Sequence, residues 1–205
     1  MKTTLSLSAP SSVETDCLAV VVLDRNEKAG GKADVAVASN DGAIREAAAD
    51  IIASGEASGK PLESTLIHRP PKLKAKRMLL LGGGKAADFT PAELRKLAGV
   101  AVRFLKPRGI RNLAFLAPEG IVAEDAVKAI VEGAFVGNFD PDVYKSDRKD
   151  QQIESVVVIA QGDQSRLQKA VDEARVIGES QNFTRDLVNE PSNRMTPTIL
   201  ADRAR

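Results

Sequence analysis

The sequence predicts an α/β fold, a three-layer α/β/α sandwich around a mostly parallel or mixed sheet. Residues 17–23, Cys-Leu-Ala-Val-Val-Val-Leu, are an unbroken apolar run, the signature of a strand buried on both faces. Thr90-Pro91-Ala92-Glu93 is a capping box with proline at the first helical position, so a helix starts there. Beyond it, strand-like and helix-like stretches alternate, as they do when helices cover both faces of a sheet.

The elements follow in order. Residues 16–24 form the first expected strand, residues 25–32 a polar glycine-bearing turn and residues 33–39 a short second strand. Asp41-Gly42 caps a helix to about residue 54, with Ile44, Ala47, Ala48, Ile51 and Ile52 on its inner face. A loop over 54–61 leads to strands at 62–68 and 76–81, joined by a link rich in proline and lysine. The helix from Thr90 buries Leu94, Leu97, Ala98, Ala101, Phe104 and Leu105 and ends at Pro107-Arg108-Gly109. Residues 112–117 are a strand, residues 123–136 a helix with Val127, Ile130, Val131 and Ala134 inward, and residues 140–151 a polar loop. A last strand spans 155–160. A long helix from Ser165 has Leu167, Ala170, Val171, Ala174, Ile177, Gly178, Leu187 and Val188 mostly at three-and-four spacing, which predicts one buried stripe, until Pro191 ends it near Asn189. Thr196-Pro197 then opens another helix, nine residues from the end of the sequence.

Composition narrows the function. The chain has 205 residues, 43% hydrophobic and 28% charged, as ordinary globular proteins do. No run approaches the roughly 20 apolar residues that span a membrane, and residues 1–10 lack the continuous apolar region of a signal peptide. The expected compartment is the cytoplasm. Cys17 is the only cysteine and reads as a small core residue, and an intrachain disulfide is impossible. His68, the only histidine, has no carboxylate or thiolate neighbours at ligand spacing and reads as a strand-end residue. One histidine and one buried cysteine leave no nucleophilic dyad or triad.

The net charge of +1 hides an asymmetry: residues 66–111 hold 12 basic and 2 acidic side chains. Arg69, Lys72, Lys74, Lys76, Arg77, Arg103, Lys106, Arg108 and Arg111 could form a basic patch for DNA, phosphate or an acidic protein surface. They could also be solvated and paired with the acidic flanks, and only Phe89 and Phe104 interleave to stack bases. Gly82-Gly83-Gly84-Lys85-Ala86-Ala87 fits the glycine pattern of dinucleotide sites. The next helix, however, starts only at Thr90, and the next acidic candidate for the ribose is Glu119, far too late in the chain. A glycine-permitted tight turn is the expectation there.

Near the end stands Arg185-Asp186-Leu187-Val188-Asn189-Glu190-Pro191-Ser192-Asn193, then Thr196-Pro197. Taken alone, Arg185 and Asp186 read as a solvated helix face. The segment resembles the piece joining the two domains of the leucyl aminopeptidase family, the cytosolic dinuclear-metal exopeptidases. Other pieces agree in order: Arg77 to Lys85, Thr90 to Gly99, Glu132-Gly133-Ala134-Phe135, Phe139-Asp140 and Tyr144-Lys145-Ser146. The chain departs from the family pattern at Gly137-Asn138, and it has one extra residue before Tyr144.

The resemblance implies a macro-domain-like amino-terminal domain over residues 1–165. Residues 166–205 would be the connecting helix and the start of a catalytic domain. The family's metal motifs, of the N-T-D-A-E-G-R and K-G-x-x-x-D types, do not occur in the sequence, so no catalytic, cofactor-binding or metal-ligating residue carries over. The two divalent ions, manganese or zinc, would sit in a catalytic domain that removes amino-terminal residues from peptide substrates. The parent would be a homohexamer, and this part alone would be inactive. Ile199 and Leu200 would lack that domain to pack on and would be frayed or held in oligomer contacts. Two alternatives stand beside this: a DNA-binding module using the basic 66–111 segment, and a macro-type nucleotide or ADP-ribose binder.

Overall fold

The period of two along buried strands decides which side chains meet which layer. In the computed structural model, which describes residues 1–26, 33–141, 144–147 and 151–204, the sheet order is β1-β7-β6-β2-β5-β4. The strands are β1 (Lys2–Ser6), β2 (Cys17–Asp24), β3 (Val35–Val37), β4 (Ser64–His68), β5 (Arg77–Lys85), β6 (Asn112–Leu116) and β7 (Ser155–Ile159). β1, β7, β6, β2 and β5 run parallel to their neighbours. β4 lies antiparallel on β5, and β3 antiparallel on β2. The sheet is therefore mixed.

Cys17, Ala19 and Val21 of β2 join Leu79, Leu81, Leu113, Phe115, Val156 and Val158 on one face. Helices α2 (Pro91–Leu105), α3 (Ala123–Asn138) and α4 (Gln164–Asn189) cover that face. Leu18, Val20 and Val22 point the other way, with Met78, Leu80, Ala114 and Ile159, onto Ile44, Ala47 and Ala48 of α1 (Gly42–Ala53). The result is the expected three-layer α/β/α arrangement. Helix starts fall where the caps predict: Asp41, Thr90 and Thr196 accept from the amides of Ile44, Glu93 and Ile199, the last opening α5 (Pro197–Arg203).

Two features differ from expectation. β1 pairs with β7 from Lys2–Ser155 to Ser6–Ile159, although residues 1–10 suggested no strand. A short polar edge strand has no apolar run of its own, and its stability comes from the open edge of β7. The glycine run, expected as a tight turn, continues β5 instead. Val22 pairs with Gly82 but Asp24 with Lys85, so β5 carries one extra residue as a bulge, with Gly84 at φ +82°. A Cβ on Gly82 would lie 2.0 Å from the Lys60 carbonyl oxygen. Glycine is required here by the crossing backbone of residues 59–60. From Glu27 to Lys32 the expected 25–32 turn lies outside the described residues, as do positions 142–143 and 148–150 of the 140–151 loop.

Candidate functional site

The long helix α4 changes character along its length. Up to Gly178 it is seated by Leu167, Ala170, Val171, Ala174 and Gly178, all buried. A Cβ on Gly178 would lie 2.7 Å from the Phe135 Cβ, so α3 and α4 approach closely. Past Gly178 no residue of α4 is buried: Val188, like Ile177 before it, is exposed and Leu187 half-buried, against the single buried stripe expected, and polar side chains hold the helix to α3. Asn182 Nδ2 donates to the Phe135 carbonyl at 2.9 Å, and Arg185 Nη1 to the Val136 carbonyl at 3.1 Å.

These acceptors belong to the last turn of α3: the Phe135 carbonyl also takes the Phe139 amide at 3.2 Å, while that of Val136 is one of the final carbonyls the helix itself leaves open. Lys106 Nζ serves a third, donating to the Asn138 carbonyl at 3.1 Å. Two cations thus sit at the negative end of the α3 dipole. The Arg185 guanidinium also stacks on the Phe139 ring at 3.9 Å. Its pKa is lowered by burial and then by the like charge of Arg103. Arg185 is accordingly a structural cap, while Asp186 is exposed as a solvated helix face should be. The buried Asn138 closes the same corner, its Oδ1 accepting the Ile153 amide and its Nδ2 donating to the Ile153 carbonyl, ahead of β7. Asn138 falls where the sequence departs from the family pattern, and only this pairing reveals its role.

Beyond α4 the chain is tied back. The Tyr144 hydroxyl donates to the Glu190 carboxylate, Arg203 lies 3.6 Å from the same carboxylate, and Arg194 sits over the Tyr144 ring. The Y-K-S loop therefore touches the residues that follow the helix.

The basic segment falls into two arms. Lys76 and Arg77 lead into β5 and Arg111 leads into β6, so both arms reach the amino-terminal edge of the sheet, on either side of β2. Several of the charges are already engaged. Lys72 pairs with Glu46 at 2.7 Å, Lys76 with Asp16 at 2.8 Å, and Arg111 Nη1 donates to the Gln152 carbonyl at 3.0 Å. Arg108 stacks on Phe104 at 3.6 Å. Asp16 lies between the arms and also accepts from the Asn112 amide and Nδ2. Burial alone would raise its pKa, but the hydrogen bonds from Lys76 and Asn112 outweigh burial and hold it below the usual carboxylate value.

Nucleotide sites of open α/β sheets lie at the carboxyl ends of neighbouring strands whose connections diverge, here β2 and β6. There β3 pairs with Val22 to Asp24 of β2, and the Glu119 amide donates to the Ala38 carbonyl beyond it, leaving a cleft of about 540 Å³ lined by Ser39, Asp41, Glu119, Gly120 and Gln161 whose acidic side chains do not suit a pyrophosphate. Gly83, Gly84 and Lys85 line a separate cleft of about 520 Å³, in which Lys60 and Lys85 face Asp24, Asp88 and Glu93. Its charges are mixed, which does not suit a pyrophosphate.

The residues do not suit a divalent metal either. Among the described residues no group of three or more His, Cys, Asp or Glu is placed to hold one. His68 is exposed at the end of β4. Cys17 is buried, and burial pushes its thiol up to about 12, far from a reactive thiolate. No described helix is long and apolar enough to cross a membrane.

Comparison with known proteins gives the family. The model of the cytosol aminopeptidase family, N-terminal domain, matches residues 19–148. A probable cytosol aminopeptidase of Koribacter versatilis is 46% identical, the alignment covering 100% of this chain and 43% of that protein. One of Solibacter usitatus is 39% identical over 100% of this chain and 39% of its own length. The chain thus spans about two fifths of these curated relatives. In fold it is similar to a tomato leucine aminopeptidase mutant, with a TM-score of 0.77 at 22% identity, covering 100% of this chain and 41% of that one. The bottromycin maturation enzyme BotP gives a TM-score of 0.66 at 24% identity, covering 92% and 36%.

Proposed function

Because the chain belongs to the cytosol aminopeptidase family and carries that family's amino-terminal domain, we propose that it is the non-catalytic part of a cytoplasmic peptidase that removes amino-terminal residues from peptides. Two divalent ions, manganese or zinc, would activate water and polarise the peptide carbonyl in the catalytic part. One structure of BotP is titled as a complex with Mn, which supports a metal-dependent parent. The described residues here do not form such a centre, so no step of hydrolysis is assigned to them. The observation that carries this reading is a match over the full chain to only 43% of the Koribacter relative. Buried packing on α4 ends at Gly178, which supports a body reaching into the helix, with the connector after it. A homohexameric parent is part of the same reading.

The test is hydrolysis of a leucine chromogenic amide with added Mn²⁺. It compares the 205-residue chain with the same chain continued by the rest of the Koribacter relative, that relative itself being the positive control. Activity confined to the longer proteins is expected. A chelator-sensitive rate proportional to the 205-residue chain would overturn its assignment as a scaffold, and silence in the continued chain beside an active control would count against the aminopeptidase reading.

One observation favours a second role, in DNA binding: both arms of the basic segment meet at one edge of the sheet. Lysines and arginines there would release counterions from a duplex, so binding should fall steeply with salt. No binding to random duplex at about 50 mM salt would remove this role.

A further inference from the structure

Helix α4 carries a second apolar face. Among the described residues ten large hydrophobics are exposed, and six of them lie between Val176 and Leu200. Exposed Val176 and Phe183 and half-buried Leu187 follow one another at i, i+7 and i+11, which puts them in a single row, while the exposed Ile177 and Val188 lie about a third of a turn round the helix from it. That row lies about half a turn away from the stripe of Leu167, Ala174, Gly178 and Arg185 that faces α3. Val176 is 57% exposed and Phe183 45%. Asp172, Glu179 and Asp186, spaced by seven, run along one border of the row. A helix with apolar rows on opposite sides is built to be covered on both.

We propose that the Val176–Phe183–Leu187 face is the seat of the polypeptide that follows this region in the longer family members, meeting it through an apolar patch edged by lysine or arginine. Three features single out that occupant. The face overlaps the point where packing against α3 gives out and runs on to the end of the helix. It is followed along the chain by Ile199 and Leu200, the exposed apolar residues of α5. The relatives contain more than as much chain again outside the part aligned here, which matches the family's N-terminal domain. The inference rests on the proposed function in one respect only, that another domain follows.

Thiol labelling tests it, because Cys17 is buried and silent. Single variants Val176→Cys and Phe183→Cys are compared with Lys96→Cys on α2, whose native side chain is 62% exposed. In the 205-residue chain all three positions should label at similar rates, independent of protein concentration. In the chain continued by the rest of the Koribacter relative, positions 176 and 183 should slow by at least about tenfold while 96 does not change. Continued silence of Cys17 reports that the body is folded. Unchanged labelling at 183 in the longer chain would overturn the inference. So would protection that appears in the short chain as its concentration rises, since a second copy would then be the occupant. A longer chain that is protected at 183 yet hydrolyses nothing would support this docking face and count against the aminopeptidase reading.

Discussion

The two halves of α4 are one helix held by two kinds of force. From Gln164 to Gly178 it is fixed by buried apolar contact, with Leu167 and Ala174 essentially without solvent exposure. From Glu179 to Asn189 it is fixed by side chains that complete the end of α3, chiefly Asn182 and Arg185. Burial is non-directional and scales with area, so the first half fixes the helix to the body. Hydrogen bonds and a stacked guanidinium are directional, so the second half sets where the chain heads next.

The largest effect should come from the packed half. Leu167→Ala removes a buried side chain and should cost about 2–5 kcal/mol, read as a lower urea midpoint. Gly178→Ala comes next. Alanine favours a helix by up to about 1 kcal/mol, but its Cβ would press on Phe135, and overpacking of about 1–3 kcal/mol should win. A stabilised Gly178→Ala chain would show that α3 and α4 have room to separate.

In the polar half, Arg185→Ala should cost about 1 kcal/mol by freeing the Val136 carbonyl and the Phe139 ring. Phe183→Ser should cost the 205-residue chain less than about 1 kcal/mol, because the Phe183 ring is already 45% exposed there. A cost as large as that of Leu167→Ala would erase the distinction between the halves.

A titration probes a polar contact away from α4. The Asp16 carboxyl sits lower in the folded chain than when unfolded, so its stabilisation is complete above the ordinary carboxylate range and is lost as pH falls through the folded value. Asp16→Asn should therefore flatten the decline of the urea midpoint between about pH 6 and about pH 3. An unaltered slope would mean that Lys76 and Asn112 do not hold that charge.

Most of the framework was legible in the sequence because it is written in local patterns. The apolar run of β2, the capping boxes and the three-and-four spacing of the helices each report their own state. What was missed depends on partners distant in the chain. β1 is a strand only because β7 offers an edge, and Gly82 is glycine only because Lys60 crosses it. Arg185 looks like an exposed charge until α3 is seen to end beneath it, and the buried role of Asn138 depends on Ile153. The absence of metal motifs could be read directly, whereas the second face of α4 could not. Periodicity marks apolar rows without saying which of them the body covers.

The central claim is that the folded body ends partway along α4, at Gly178. Amide hydrogen exchange of the 205-residue chain tests it most directly. Protection should be high through Gly178 and fall across residues 179–189, reaching the exchange rate of an exposed helix before Pro191. Uniform protection from Gln164 to Asn189, equal to that of α3, would contradict it and make the whole helix part of the body.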